Sequence, residues 1–111
     1  MPARRTEIPP GTLDMLILKT LAQSGESHGF QIAEAIERAS DDVLKVEEGS
    51  LYPALQRMLI KGWIIGEWGR TEGNRRARFY RLTVAGKKQL ERELVDYRRV
   101  SLAIARILQL A

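Results

Sequence analysis

Apolar residues recur along this chain at two periods. "PPGTLDMLILKTLAQSG" opens with Pro9, Pro10 and Gly11, has Thr12 as N-cap with Asp14 in the first turn, and stops at Gly25, which predicts a first helix. Leu13, Leu16, Ile17 and Leu21 form one stripe, but Met15, Leu18 and Ala22 spread apolar groups to the other faces. A helix apolar all round is buried all round, and in so small a chain a second subunit is the expected cover. "ESHGFQIAEAIERAS" predicts a second helix capped by Ser27, with Phe30, Ile32, Ala33 and Ile36 inward and an acidic outer face carrying Glu34 and Glu37. "VLKV" (43–46) is short and alternating, as a single strand would be.

In "EGSLYPALQRMLIKGW" the expected N-cap is Ser50, which places Pro53 in the first turn, where its missing N–H costs little. At ~100° per residue, Leu51, Ala54, Leu55, Met58 and Leu59 share one arc. Tyr52, Pro53, Gln56, Arg57 and Ile60 point the other way, so a hydroxyl, an amide and a guanidinium face outward. Ile60 has no reading there. "WIIGEW" and "RFYRLT" predict a hairpin whose tip, "GRTEGNRRA", carries arginines. From the cap Thr83 the chain runs to its end without proline, and Leu90, Leu94, Tyr97, Ser101, Ile104, Leu108 and Ala111 repeat by four and three. Such a helix, about 40 Å long, outreaches the body it belongs to and needs an outside partner.

Charge changes the picture in one place. Residues 1–69 hold seven basic and ten acidic side chains (−3), residues 70–81 five and one (+4), and residues 82–111 six and three (+3). The cationic excess therefore starts at the hairpin, with Arg70, Arg75, Arg76, Arg78 and Arg81, and suits a polyanion. With no cysteine and one histidine, His28, no thiol chemistry, histidine metal pair or convergent catalytic set is available. No cofactor, no metal and no enzymatic activity are expected. His28 is assigned to packing or capping and Trp63 to the core, while Trp68 is divided between core and a stacking surface. No apolar run approaches a membrane span, which predicts a cytoplasmic protein.

The predicted order is helix, helix, strand, exposed helix, hairpin, long helix. That is mainly α with a small β-hairpin: a winged helix-turn-helix with a long C-terminal dimerisation helix. Residues 1–10 are assigned to a flexible arm, 11–82 to the winged domain and 83–111 to the dimerisation helix. The blocks "GTLDMLILKTL", "HGFQIAEAIE", "VEEGSLYPALQRMLIKGWI" and "NRRARFYRLTVAGKKQL" resemble, in order and spacing, the bacterial PadR family of transcriptional regulators over about residues 11–90. The single helix beyond them resembles its short subgroup.

The resemblance implies a homodimer that represses transcription from an inverted-repeat operator on double-stranded DNA, with release by a small-molecule effector. It carries the recognition-helix role to Ser50, Tyr52, Pro53, Gln56 and Arg57 and the wing role to Asn74, Arg75, Arg76 and Arg78. From side-chain chemistry, Gln56 suits a base edge, adenine above all, and the arginines suit phosphates or the minor groove. The expected dimer contacts are Leu18, Leu90, Leu94, Tyr97, Ser101, Ile104 and Leu108. Tyr97 and its neighbours also border any effector cavity, although packing is the simpler role. The alternative is a winged-helix interaction module that turns the same exposed helix toward a protein.

Overall fold

In the computed structural model, which describes residues 5–111, β1 (Thr6–Glu7) leads into α1 (Leu13–Ser24), β2 (Ser27–His28) and α2 (Gly29–Ala39). β3 (Leu44–Lys45), α3 (Glu48–Ile60), the hairpin strands β4 (Ile64–Arg70) and β5 (Arg76–Leu82), and α4 (Val84–Ile107) complete the chain. This is the mainly α arrangement with a small hairpin that the sequence predicts. β4 and β5 pair antiparallel, β2 adds to the other edge of β5, and β1 pairs in parallel with β3.

α1 is the centre of the core. Ile17, Leu18 and Leu21 are almost completely enclosed, and α2, α3, α4 and β5 all pack around them. The second subunit expected as its cover is therefore not needed, because the final helix folds its first turns back onto α1 and closes that side. Leu18 and Leu90, placed on a subunit interface by the sequence reading, are 0% and 7% exposed within their own chain and belong to this core.

Local signals are overridden at the helix starts. Thr12 is at the N-cap of α1, but its hydroxyl donates to the Pro9 carbonyl (2.7 Å) instead of accepting from the helix. His28 and not Ser27 caps α2, and its N–H donates to Gln31 Oε1 (3.1 Å). α3 begins three residues before Ser50 can cap it: Glu47 is the cap, its carbonyl accepting from Ser50 and Leu51. The cause lies upstream, where the Val46 N–H donates to Glu37 Oε2 (3.0 Å) and fixes the chain direction as Val46 enters the core. Pro53 consequently stands in the second turn and leaves the Gly49 carbonyl without its i+4 donor, which is tolerable because both residues are exposed to water.

The expected arm is ordered over part of its length. Thr6–Glu7 pairs with Leu44–Lys45, and Arg5 reaches Glu37 (3.1 Å). Residues 1–4 of that arm lie outside the described residues. Phe30, predicted inward, is 68% exposed. α4 has Thr83 at its cap, the Oγ1 accepting from the Gly86 N–H (3.0 Å), and ends at Ile107. Along its seam Leu90 and Leu94 pack into the core, whereas Tyr97, Ile104 and Leu108 are at least half exposed. Among the described residues no helix is long and apolar enough to cross a membrane.

Candidate nucleic-acid interface

The outward face of α3 matches its period. Leu51, Ala54, Leu55 and Met58 are buried, while Tyr52, Pro53, Gln56, Arg57 and Ile60 are exposed. Ile60, at 84% exposure, contacts nothing that explains it. Tyr52 is set by close packing at the start of α2: a β-carbon built on Gly29 would lie 2.9 Å from the Tyr52 Oη. Only a residue without a side chain lets the ring lie there, which gives the His28-Gly29 pair its structural reason.

The hairpin places its chemistry by alternation. Ile64, Gly66, Trp68 and Arg70 face the same way as their partners Leu82, Tyr80, Arg78 and Arg76. Near α4 this face is core, with Ile64 and Tyr80 buried; further out it emerges and lines an open groove. Arg78 lies across Gly66 with its Nε buried and unpartnered, beside Tyr80. Burial pushes the Tyr80 phenol above its ordinary pKa, the Arg78 charge pulls it back, and Tyr52 adds to the rise. At the outer end the Arg76 guanidinium sits 4.4 Å over the Trp68 ring, a cation–π contact that gives a free-standing arginine a fixed direction. Arg81, on the opposite face, lies 3.7 Å from Glu67.

The tip is more ordered than its repelling arginines suggest. Thr71 N–H donates to the Arg75 carbonyl, Asn74 N–H to the Thr71 carbonyl, and Arg75 N–H to Thr71 Oγ1. Asn74 has φ +62°, and its carbonyl accepts from Arg70 Nη1 (3.2 Å). Asn74 therefore has a turn-forming task, independent of any ligand.

The nine residues predicted for this surface divide into three sets. Tyr52, Gln56, Arg75, Arg76 and Arg78 line one groove of about 830 Å³ between α3, the start of α2 and the hairpin. Ser50, Pro53 and Arg57 lie on the other flank of α3, beside residues 7–13 and β3. Arg57 is engaged there, its Nη2 donating to Asp14 Oδ1 at 2.9 Å. Asn74 stands at the tip. Sequence reasoning missed Phe30 as a groove residue and left Trp68 undecided; both line the groove, at 68% and 62% exposure. The signal for Phe30 was available, because at ~100° per residue it lies ~160° from Ile32, off the buried stripe. His28 has the packing and capping role expected of it, its ring edge-on to Phe79 at 5.3 Å. Trp63 packs against the core, as predicted.

Residues 17–92 match the family model of the transcriptional regulator PadR-like family. An uncharacterized protein of Lysinibacillus sphaericus is 30% identical over 91 residues, which cover 82% of each chain. Among solved structures, a transcriptional regulator from Clostridium thermocellum superposes with a TM-score of 0.78 at 28% identity, over 86% of this chain and 92% of that one. Bacillus subtilis PadR in complex with operator DNA shares the fold with a TM-score of 0.67 at 24% identity, over 79% of this chain and 48% of that one. Sequence, order of elements and superposition agree, and the chain belongs to the PadR-like family of transcriptional regulators, which are not enzymes.

Proposed function

We propose that the protein is a sequence-specific DNA-binding repressor that grips an inverted-repeat operator as a homodimer, each copy presenting α3 to the major groove and its hairpin to the flanking backbone. The observation that carries this reading is the single groove shared by Gln56, Tyr52 and four arginines. A base-reading amide and phosphate-seeking cations are useful together only to a ligand that offers base edges and a charged backbone within one turn of helix. That the Bacillus subtilis PadR of similar fold is found with operator DNA supports DNA as the partner. Release by a small-molecule effector belongs to the proposal through the family alone.

The division of labour differs from a uniform patch. Gln56 reads a base, adenine suiting its amide best, while Arg75, Arg76 and the Tyr52 hydroxyl hold phosphates. Arg57 is reserved by Asp14, and its share in recognition is smaller than the sequence suggests.

Salt dependence tests partner class. Affinity for a selected operator should fall steeply with ionic strength, and Arg75→Ala or Arg76→Ala should each lower the log–log slope by about one per protomer. A slope near zero, unmoved in both variants, points instead to the protein-interaction module. Gln56→Ala should lose about 1–3 kcal/mol of discrimination between operator and random duplex per copy, with non-specific binding nearly unchanged. Equal losses on both duplexes would remove Gln56 from the base-reading role.

A further inference from the structure

The least expected side chain on this surface is Phe30. It occupies the first turn of α2, directly after Gly29, whose position is dictated by the Tyr52 ring packed against it. On one side it stacks with His28, ring centroids 6.5 Å apart, and His28 is braced edge-on by Phe79. The rest of the ring is open to water: Phe30 is 68% exposed, more than Tyr52 at 45%. Unlike tyrosine or tryptophan, phenylalanine has no polar tip that benefits from solvent, so a fixed and exposed ring stays unsatisfied until something apolar covers it. Its neighbours in the groove define the cover. Arg70, Arg75, Arg76 and Arg78 face Glu72 as the one carboxylate among the lining residues. A cationic groove admits a polyanion, and the apolar parts of a duplex within reach of such a groove are thymine methyl groups and the edges of deoxyribose rings.

We propose that Phe30 is a further duplex-contacting residue, which adds to the charged contacts a salt-independent apolar contact with a thymine methyl or a deoxyribose edge next to the base read by Gln56. The proposal rests on the DNA-binding reading. It differs from it in mechanism, because cations act through counterion release and a phenyl ring through removal of apolar surface from water. The two contributions are separable in one titration series: ring removal shifts the line of log affinity against log salt, while arginine removal tilts it.

The experiment uses the full chain and a duplex selected from a random pool. Wild type, Phe30→Ala, Phe30→Tyr and Arg75→Ala are titrated at several salt concentrations, with thermal unfolding and sedimentation measured alongside. Phe30→Ala should bind about tenfold or more weakly at every salt concentration, with wild-type slope, melting temperature and oligomeric state. Phe30→Tyr, which keeps the ring, should retain most of the affinity. Wild-type affinity in Phe30→Ala overturns the proposal, as does a loss accompanied by a changed slope, a lowered melting temperature or an altered oligomeric state, the last placing the ring between protein chains. A second duplex with uracil in place of thymine identifies the surface. If wild type weakens on it and Phe30→Ala does not, the methyl group is the contact; if neither changes, the sugar edge is. Should wild type select no sequence and Arg75→Ala leave the slope unmoved, the DNA-binding reading itself fails. Should both behave as expected while Phe30→Ala equals wild type, only the role of Phe30 falls.

Discussion

Gly86→Ala is expected to destabilise the fold by about 3 kcal/mol or more, a large share of the roughly 5–15 kcal/mol that holds a domain together. Gly86 is in the first turn of α4, where the helix crosses the start of the hairpin. A β-carbon there would collide with the Trp63 carbonyl oxygen and come within 3.0 Å of its carbon and 2.8 Å of Leu82 Cδ1. A leucine tip can swing away, but a peptide carbonyl cannot. The joint is also clasped from both sides: Thr83 N–H donates to the same Trp63 carbonyl (3.0 Å), and Thr83 Oγ1 donates to the Gly62 carbonyl (2.7 Å) while it caps α4. Relief requires α4 to slide off the hairpin, which breaks that clasp and draws Leu90 out of the core. Gly49→Ala is the control. A β-carbon there meets nothing within 4 Å, the residue lies in the first turn of α3, and removing a glycine from a helix should stabilise by about 0.4–1 kcal/mol. Urea unfolding at fixed protein concentration checks both. A midpoint for Gly86→Ala equal to that of wild type would show that the helix-hairpin crossing yields more easily than its geometry implies.

Gly86 also marks the boundary of what the chain discloses by itself. As a letter it is only an unfavourable residue inside a long helical pattern, and its reason is a contact with Trp63, twenty-three positions away. Features set by period were legible in the sequence: the two faces of α3, the hairpin with its arginine-bearing tip, and the start of α4 after Thr83, although the helix predicted to run to residue 111 stops at Ile107. Features set by tertiary choice were not. Ser50 has the better capping chemistry, yet Glu47 caps α3 because Glu37 anchors Val46. A two-residue strand such as Thr6–Glu7 is too short to show any period, whereas Leu44–Lys45 lies inside the strand predicted at 43–46. The all-round apolar character of α1 predicted burial correctly and the wrong cover, since composition states that a face is buried and not which segment buries it. In the groove, Tyr52, Gln56 and the wing arginines were found by exposure and charge. Phe30 was lost because a phenylalanine beside a buried stripe was assigned to that stripe without following its angle.

Ile104→Asp should convert the protein to monomers and reduce operator affinity by about a hundredfold or more, because two half-sites held by one linked dimer gain on the order of 10²–10⁴ over independent binding. The position discriminates because it is spent on nothing inside the chain. Ile104 and Tyr97 are 50% exposed, and Val100, Leu102, Ile107, Leu108 and Leu110 around them are exposed as well, so the outer half of α4 offers apolar surface on more than one side. A carboxylate placed there stays in water in a single chain and costs folding little. In a dimer it would have to be buried unpaired, a cost of several kcal/mol that must be met in each copy. Circular dichroism should therefore show wild-type helix content in the variant, while sedimentation shows half the mass. Leu90→Asp, on the same seam but 7% exposed, makes the contrasting variant: it should unfold the chain whether or not a partner exists. If Ile104→Asp stays dimeric and binds its operator, the two copies meet elsewhere, and the apolar outer half of α4 must be covered by something other than its twin.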